Sequence, residues 1–204
     1  TSAPTPGDYI NEFKKYINDG KDILYISISS EISSSYQNAC IAAKEFNEGR
    51  VRVIDSRNLS TGIGLLVLKA GDLLREGKSL DETEETIRES IDKVRTEFVI
   101  DTVDYLYKGG RCSGLQMVLS SILKIHPVIR VENGSLRLAE KMRGGREKVL
   151  KYLINKAVKN VRSADLTRVF ITHSDSDDDA LWIKERLQEE NHFKEVLITE
   201  AGCV

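Results

Sequence analysis

Two short apolar runs, Ile23–Ser29 (ILYISIS) and Val51–Ile54 (VRVI), each give way to a helical stretch, and that alternation constrains the chain most. Compact runs rich in β-branched residues read as strands buried on both faces. Strands separated by helices pair in parallel through right-handed crossovers. Asp8–Tyr16 reads as a short amphipathic helix ended by Gly20. Ser33 or a neighbour caps a second helix to about Glu48, with Ala39, Cys40, Ala42 and Ala43 as its small-residue face. A third helix starts near Gly62 and carries Leu65, Leu66, Leu68, Ala70, Leu73 and Leu74. A charged helix follows over Leu80–Arg95, then a short strand over Phe98–Asp101.

The pattern changes at Asp101–Gly114 (DTVDYLYKGGRCSG). Gly109 and Gly110 permit backbone angles closed to other residues, which marks a sharp turn, and Ser113 stands where it would cap a helix over Leu115–Ile125. Beyond it, Val128–Val131 and Leu136–Leu138 flank Asn133-Gly134, the strongest short signal for a β-hairpin. A helix to about Val161, a strand over Arg168–Thr172, a helix over Asp177–Glu190 and a strand over Val196–Thr199 complete the chain. The expected class is α/β in two lobes. The N-terminal lobe, residues 1–112, has a mainly parallel sheet flanked by helices, and the C-terminal lobe, residues 113–204, has a mixed sheet that includes the hairpin.

At 204 residues the chain is long enough for such a core, and 30 basic against 32 acidic residues leave its charge nearly balanced. No strongly basic stretch offers a nucleic-acid backbone a partner. Cys40, Cys112 and Cys203 are scattered and odd in number, which fits reduced thiols in a cytoplasmic protein better than a disulfide frame or a metal site. No apolar run has membrane-spanning length. The chain opens on Thr1-Ser2-Ala3-Pro4 without Met and stops at Val204 directly after a strand, so residues of the natural product are expected to be missing at both ends.

Familiar catalytic and metal patterns fail residue by residue. Asp175, Asp177 and Asp179 alternate like a calcium loop, but Ala180 stands at the turn glycine and Arg186 at the bidentate Glu. These carboxylates suit the first turn of a helix. His126, His173 and His192 have no metal-ligand spacing. Gly62-x-Gly64 lacks the third glycine of a dinucleotide loop, with Val67 in its place. No cofactor is expected.

What remains is a crowd of hydroxyls at helix starts. Ser27, Ser29, Ser30, Ser33, Ser34 and Ser35 follow the first strand, Ser60 and Thr61 follow the second beside Gly62, and Thr1 and Ser2 precede a helix. Singly, each reads as a cap or a turn hydroxyl. Together, at the carboxyl ends of parallel strands and beside helix N-termini, they form an uncharged cradle for an anion such as a carboxylate, with Arg143 and Arg146 able to add charge at its rim.

Several ordered motifs give this cradle a context. Asp101-Thr102-x-x-Tyr105-Leu106-x-x-Gly109-Gly110-Arg111 resembles the central signature of the bacterial DegV family. Thr1-Ser2-x-Pro4 resembles its Thr-Ser-x-Pro-Ser run, with Thr5 for the Ser. Ile28-Ser29-Ser30-Glu31-Ile32-Ser33-Ser34-Ser35-Tyr36-Gln37 is similar to its Ile-Ser-Ser-x-Leu-Ser-Gly-Thr-Tyr-Gln, with Ser34 for a Gly. Val53-Ile54-Asp55-Ser56 with Ser60 and Gly62, and Lys141-x-Arg143-Gly144, are similar to two more signatures. The resemblance covers nearly the whole chain.

The resemblance implies a protein, not an enzyme, that binds a long-chain (C16–C18) fatty acid between two α/β lobes. It presents the acid to a fatty acid kinase that makes acyl phosphate for phospholipid synthesis. Thr1, Ser2 and Ser33 would hold the carboxylate, and Arg143 would lie near the head group on the partner-facing side. Ser60, Gly62, Ile63, Leu66, Leu119 and Ile122 are the expected pocket. Burying about 14 methylenes at ~0.8 kcal/mol each yields ~11 kcal/mol before binding costs, so a neutral cradle suffices for tight binding. Family members carry about 70 further residues before the Thr-Ser-x-Pro run and a His-x-Gly-Pro-Gly segment beyond position 204. Two other readings stay open: a hydrolase or transferase using a serine of Ser29–Ser35, for which no base is evident, and a scaffold fragment without ligand.

Overall fold

The computed structural model describes residues 2–101, 106, 108–111, 125–159, 161 and 164–201. The chain divides into two compact units, Thr1–Val94 with Asn133–Ser135, and Arg95–Glu132 with Leu136–Val204. The class is α/β, with parallel and antiparallel strand pairing.

In the first unit, α1 (Pro6–Asn18) begins earlier than apolar periodicity suggests, because Thr5 and Asp8 close a capping box ahead of Pro6. The Thr5 Oγ1 and N–H both donate to the Asp8 carboxylate at 2.8 Å, and these bonds hold the Asp8 carboxyl below its ordinary pKa. Strand β1 (Ile23–Ser27) pairs in parallel with β2 (Val51–Asp55), and α2 (Ser35–Ala43) crosses between them. Helix α2 stops well before Glu48: Lys44, Glu45 and Phe46 turn on to the carbonyls three residues back, and Gly49 adopts φ 82°. After β2 come α3 (Ser60–Arg75) and α4 (Leu80–Ser90), the latter opened by a Ser79–Glu82 capping box and followed by a tight turn over Ile91–Lys93.

Both faces of this sheet are covered. Ile23, Tyr25, Val51 and Val53 face the cluster of Tyr9, Phe13, Ala39 and Ala42 supplied by α1 and α2. Leu24, Ile26 and Ile54 face Leu66, Ala70 and Ile87 from α3 and α4. The two-residue alternation of a strand therefore serves two cores at once, which explains the unbroken apolar reading of ILYIS. Arg52, the polar residue of β2, reaches Asp81 and Glu84 of α4.

In the second unit, β3 (Glu97–Val99) runs antiparallel to β4 (Ile125–Glu132), which continues through a hairpin into β5 (Ser135–Arg143). The strand expected over Phe98–Asp101 is thus shifted toward Glu97, where an ion pair with its register partner Arg130 at 2.6 Å anchors it. Ile125, expected to end a helix, opens β4; the rest of that expected helix lies outside the described residues. Asn133 and Gly134 form the hairpin turn, both with positive φ (50° and 82°), as a two-residue turn of matching twist requires. Helix α5 (Arg146–Lys159) follows, then β6 (Arg168–His173), α6 (Asp177–Glu189) and β7 (Glu195–Glu200), with β6 and β7 parallel. Ile154, Ile171, Ala180, Leu187 and Val196 form their core.

Candidate functional site

The hydroxyls of Ser27 to Ser35, with Ser60 and Thr61, follow the carboxyl ends of β1 and β2 in the first unit. The two strands end in register, with Ser27 opposite Asp55, and the loops that follow are tied to each other by the Asp55 carboxylate. It accepts from the Ser30 hydroxyl at 2.6 Å, from the Ser30 N–H at 3.2 Å and from the Arg57 N–H at 2.9 Å. A second tie joins the loops through backbone: the Ser29 N–H donates to the Asn58 carbonyl at 2.9 Å. Ser56 braces Asn58 within the second loop, its hydroxyl accepting from the Asn58 N–H at 3.0 Å. Arg57 and Ser60 both sit at positive φ (49° and 47°), so this connection bends sharply into α3.

Ser33 is brought to the start of α2. Its N–H donates to the Ser29 carbonyl at 3.1 Å. Its Oγ accepts from the Ser35 N–H at 3.2 Å and lies 2.9 Å from the Ser35 Oγ. Ser34 is the cap residue of α2 but makes no side-chain cap bond, so Ser33 performs that service from one position earlier. The pair Ser33–Ser35 is half-buried to buried, with Ser35 6% exposed. Beneath it, on the α1/α2 side of β1, the Tyr9 and Tyr25 hydroxyls meet at 3.0 Å, and burial, with that bond second, pushes the Tyr25 hydroxyl up to about 12.

The other expected residues fall as follows. Ser60 is the exposed first residue of α3, and Gly62 is buried in its first turn, its N–H donating to the Leu59 carbonyl at 3.0 Å. Leu66, 1% exposed, belongs to the sheet–helix core, and Ile63 packs against that core. Ser2 is exposed ahead of α1, where the Asn38 side chain donates to the Pro4 carbonyl at 2.7 Å. Arg143 ends β5 of the second unit and is exposed, next to Gly144 at φ 126°. Thr1, Leu119 and Ile122 lie outside the described residues.

Sequence reasoning missed two residues. Asp55 entered only as a strand exit and part of a motif, although an acid at a strand end facing a Ser-rich loop is a signal for a loop tie. Ser27 entered only as one serine of the crowd. It is 0% exposed and its Oγ has no hydrogen-bond partner. The arrangement offers hydroxyl donors and a helix N-terminus, which suits an anion. Among the described residues no cluster of His, Cys, Asp and Glu could hold a metal ion, and no helix is long and apolar enough to cross a membrane.

Known proteins carry the same organisation. A DegV domain-containing protein of Caldanaerobacter subterraneus subsp. tengcongensis is 32% identical over 204 residues, 100% of this chain and 72% of that protein. Among solved structures, a fatty-acid-binding DegV family protein from Thermus thermophilus superposes with a TM-score of 0.87 at 27% identity, over 98% of this chain and 71% of that one. The Streptococcus pneumoniae fatty acid kinase (Fak) B3 protein, loaded with linoleic acid, gives 0.85 at 28% identity, over 98% and 70%. The family described as "Uncharacterised protein, DegV family COG1307" matches residues 1–204. The chain belongs to the DegV family.

Proposed function

We propose that this protein binds a long-chain fatty acid of C16–C18 and, as a lipid-binding protein rather than an enzyme, presents its carboxylate to a fatty acid kinase in the cytoplasm for acyl-phosphate formation. The observation that carries the reading is the Ser33–Ser35 hydroxyl pair at the start of α2, 2.9 Å apart. Hydroxyl donors beside a helix N-terminus stabilise a carboxylate without a cation, and they leave it reactive toward a phosphoryl donor. The Thermus thermophilus and Streptococcus pneumoniae proteins with fatty acids support the ligand class.

In this reading Thr1, Ser2 and Ser33 hold the carboxylate, and Ser60 and Gly62 shape the neighbouring loop. Ile63, Leu119 and Ile122 contribute apolar wall, and Leu66 backs that wall from the core. Arg143 presents positive charge to the kinase. No cofactor, metal or nucleic acid takes part. A serine nucleophile in Ser29–Ser35 has no imidazole base to hand in the first unit, since the three histidines are His126, His173 and His192.

The test is denaturing extraction of purified full-length protein followed by lipid mass spectrometry. A C16–C18 fatty acid is expected at near-stoichiometric occupancy, and Ser33→Ala should lower that occupancy several-fold. An empty protein that also ignores added palmitate and oleate overturns the reading.

A further inference from the structure

Ser27 is the last residue of β1, and among the described residues its hydroxyl is the one polar group at the carboxyl edge of the first unit that is both fully buried and without a hydrogen-bond partner. Leaving a buried hydroxyl unpaired costs its full desolvation penalty. A chain has little reason to keep such a group where Ala or Val would pack equally well, unless an acceptor arrives from outside.

Its direction follows from the strand. Tyr25 and Ser27 lie on the same face of β1, and Tyr25 packs into the α1/α2 cluster, so Ser27 points to that side too. Helices α1 and α2 pack on this face, and α2 starts near where β1 ends. Ser35 is buried in the first turn of α2, one turn ahead of Ala39 in the same cluster. Ser27 therefore lies below the α2 N-terminus, on the side that carries Ser33 and Ser35.

The natural neighbouring acceptor is already committed. Asp55, the register partner of Ser27, receives two donors from Ser30 and one from Arg57. The Ser27 carbonyl accepts from the Ser56 N–H at 3.1 Å, which fixes the backbone and leaves only the side chain uncommitted. Tyr25, two residues back on the same face, is bonded to Tyr9; the Ser27 hydroxyl lies close enough to ease the ionisation of Tyr25 slightly but makes no hydrogen bond of normal geometry with it.

We infer that Ser27 is a further carboxylate-binding residue, its buried hydroxyl donating to the ligand's acid group from beneath while Ser33 acts from the rim. This assignment rests on the fatty-acid reading above. It makes Ser27 a specificity determinant, because a donor without a partner in the empty protein rewards a ligand head that accepts strongly and does little for one that does not.

The experiment compares palmitate with hexadecanol, which has the same chain without the acid group, on delipidated full-length protein by isothermal titration calorimetry. Wild type, Ser27→Ala and Ser27→Thr are measured, together with urea unfolding of each in the lipid-free state. Ser27→Ala should weaken palmitate roughly 10- to 150-fold, as loss of one hydrogen bond to a charged group does, with hexadecanol unchanged. Ser27→Thr should restore most of the difference. The lipid-free Ser27→Ala protein should unfold at equal or higher urea than wild type, which a purely structural role would not produce. Equal weakening of both ligands, or an unchanged palmitate-to-hexadecanol ratio, overturns the assignment alone. A wild type that binds neither ligand overturns the fatty-acid reading and this assignment with it.

Discussion

The Ser30 hydroxyl donates to the Asp55 carboxylate at 2.6 Å, and the Ser30 amide donates to the other oxygen of the same group at 3.2 Å. One acid at the end of β2 thereby fixes the loop that leaves β1, although 25 residues separate the two in sequence. Everything the first loop presents, Ser33 included, is held by this tie and by the Ser29–Asn58 backbone bond.

Removing the tie should therefore loosen the loop and weaken the site together. Asp55→Ala is expected to cost about 1–3 kcal/mol of stability in urea unfolding, since it leaves the Ser30 and Arg57 donors without their charged acceptor. It should also lower palmitate affinity although Asp55 is not itself assigned to the ligand. Unchanged unfolding would show that the loops hold their positions without it.

The aromatic side of β1 gives a prediction in pH. The Tyr25 hydroxyl is raised from its ordinary value of 10 to about 12, first by burial and then by its bond with Tyr9. A folded-state value above the unfolded one means that the contribution to stability is complete below pH 10 and is lost as pH rises toward 12. Wild type should accordingly lose stability over that window relative to Tyr25→Phe, which has no hydroxyl to ionise at that position. Urea midpoints at pH 8, 10 and 11 would show it, and parallel curves for the two proteins would refute it.

The hairpin turn supplies a test at one glycine. Gly134 holds φ 82°, where a side chain is strained, and an added Cβ would also come within 2.7 Å of the Ser29 hydroxyl, so Gly134→Ala should destabilise the protein by at least roughly 1–2 kcal/mol. Gly145 has no such φ, and Gly145→Ala serves as the control. A thermal-shift comparison of the two variants decides it; equal melting temperatures would count against the strained turn.

How much of this was legible beforehand depended on whether a residue's partner is local. Thr5-x-x-Asp8 and Ser79-x-x-Glu82 are capping boxes readable from spacing alone, and Asn133-Gly134 specifies its turn through the φ values only such residues accept readily. The strand expected over Ile23–Ser29 is present over Ile23–Ser27, where two cores demand apolar residues, and stops two residues short of the expected end. The extent of α2 was overread: nothing in the small-residue pattern of Ala39–Ala43 reports the tight turns over Lys44–Phe46. The pairing of β3 with β4 is not legible in the sequence, because its register partners, Glu97 and Arg130 among them, are non-local, 33 positions apart for that pair. At the site, composition and order singled out Ser33, but the burial of Ser27 and the acceptor role of Asp55 appear only when the two strand ends lie side by side.

The strict two-residue rhythm of β1 has one last consequence, for insertions and deletions. A shift of one residue in its pairing with β2 would turn the Tyr25 ring toward α3 and α4 and send Ile26 among the aromatic rings. It would also exchange the hydroxyl at position 27 for an isoleucine, Ile26 or Ile28. Changes of chain length are thus tolerable only outside the strand: an insertion or deletion within Ile23–Ser27 would break both cores and displace the inward hydroxyl together.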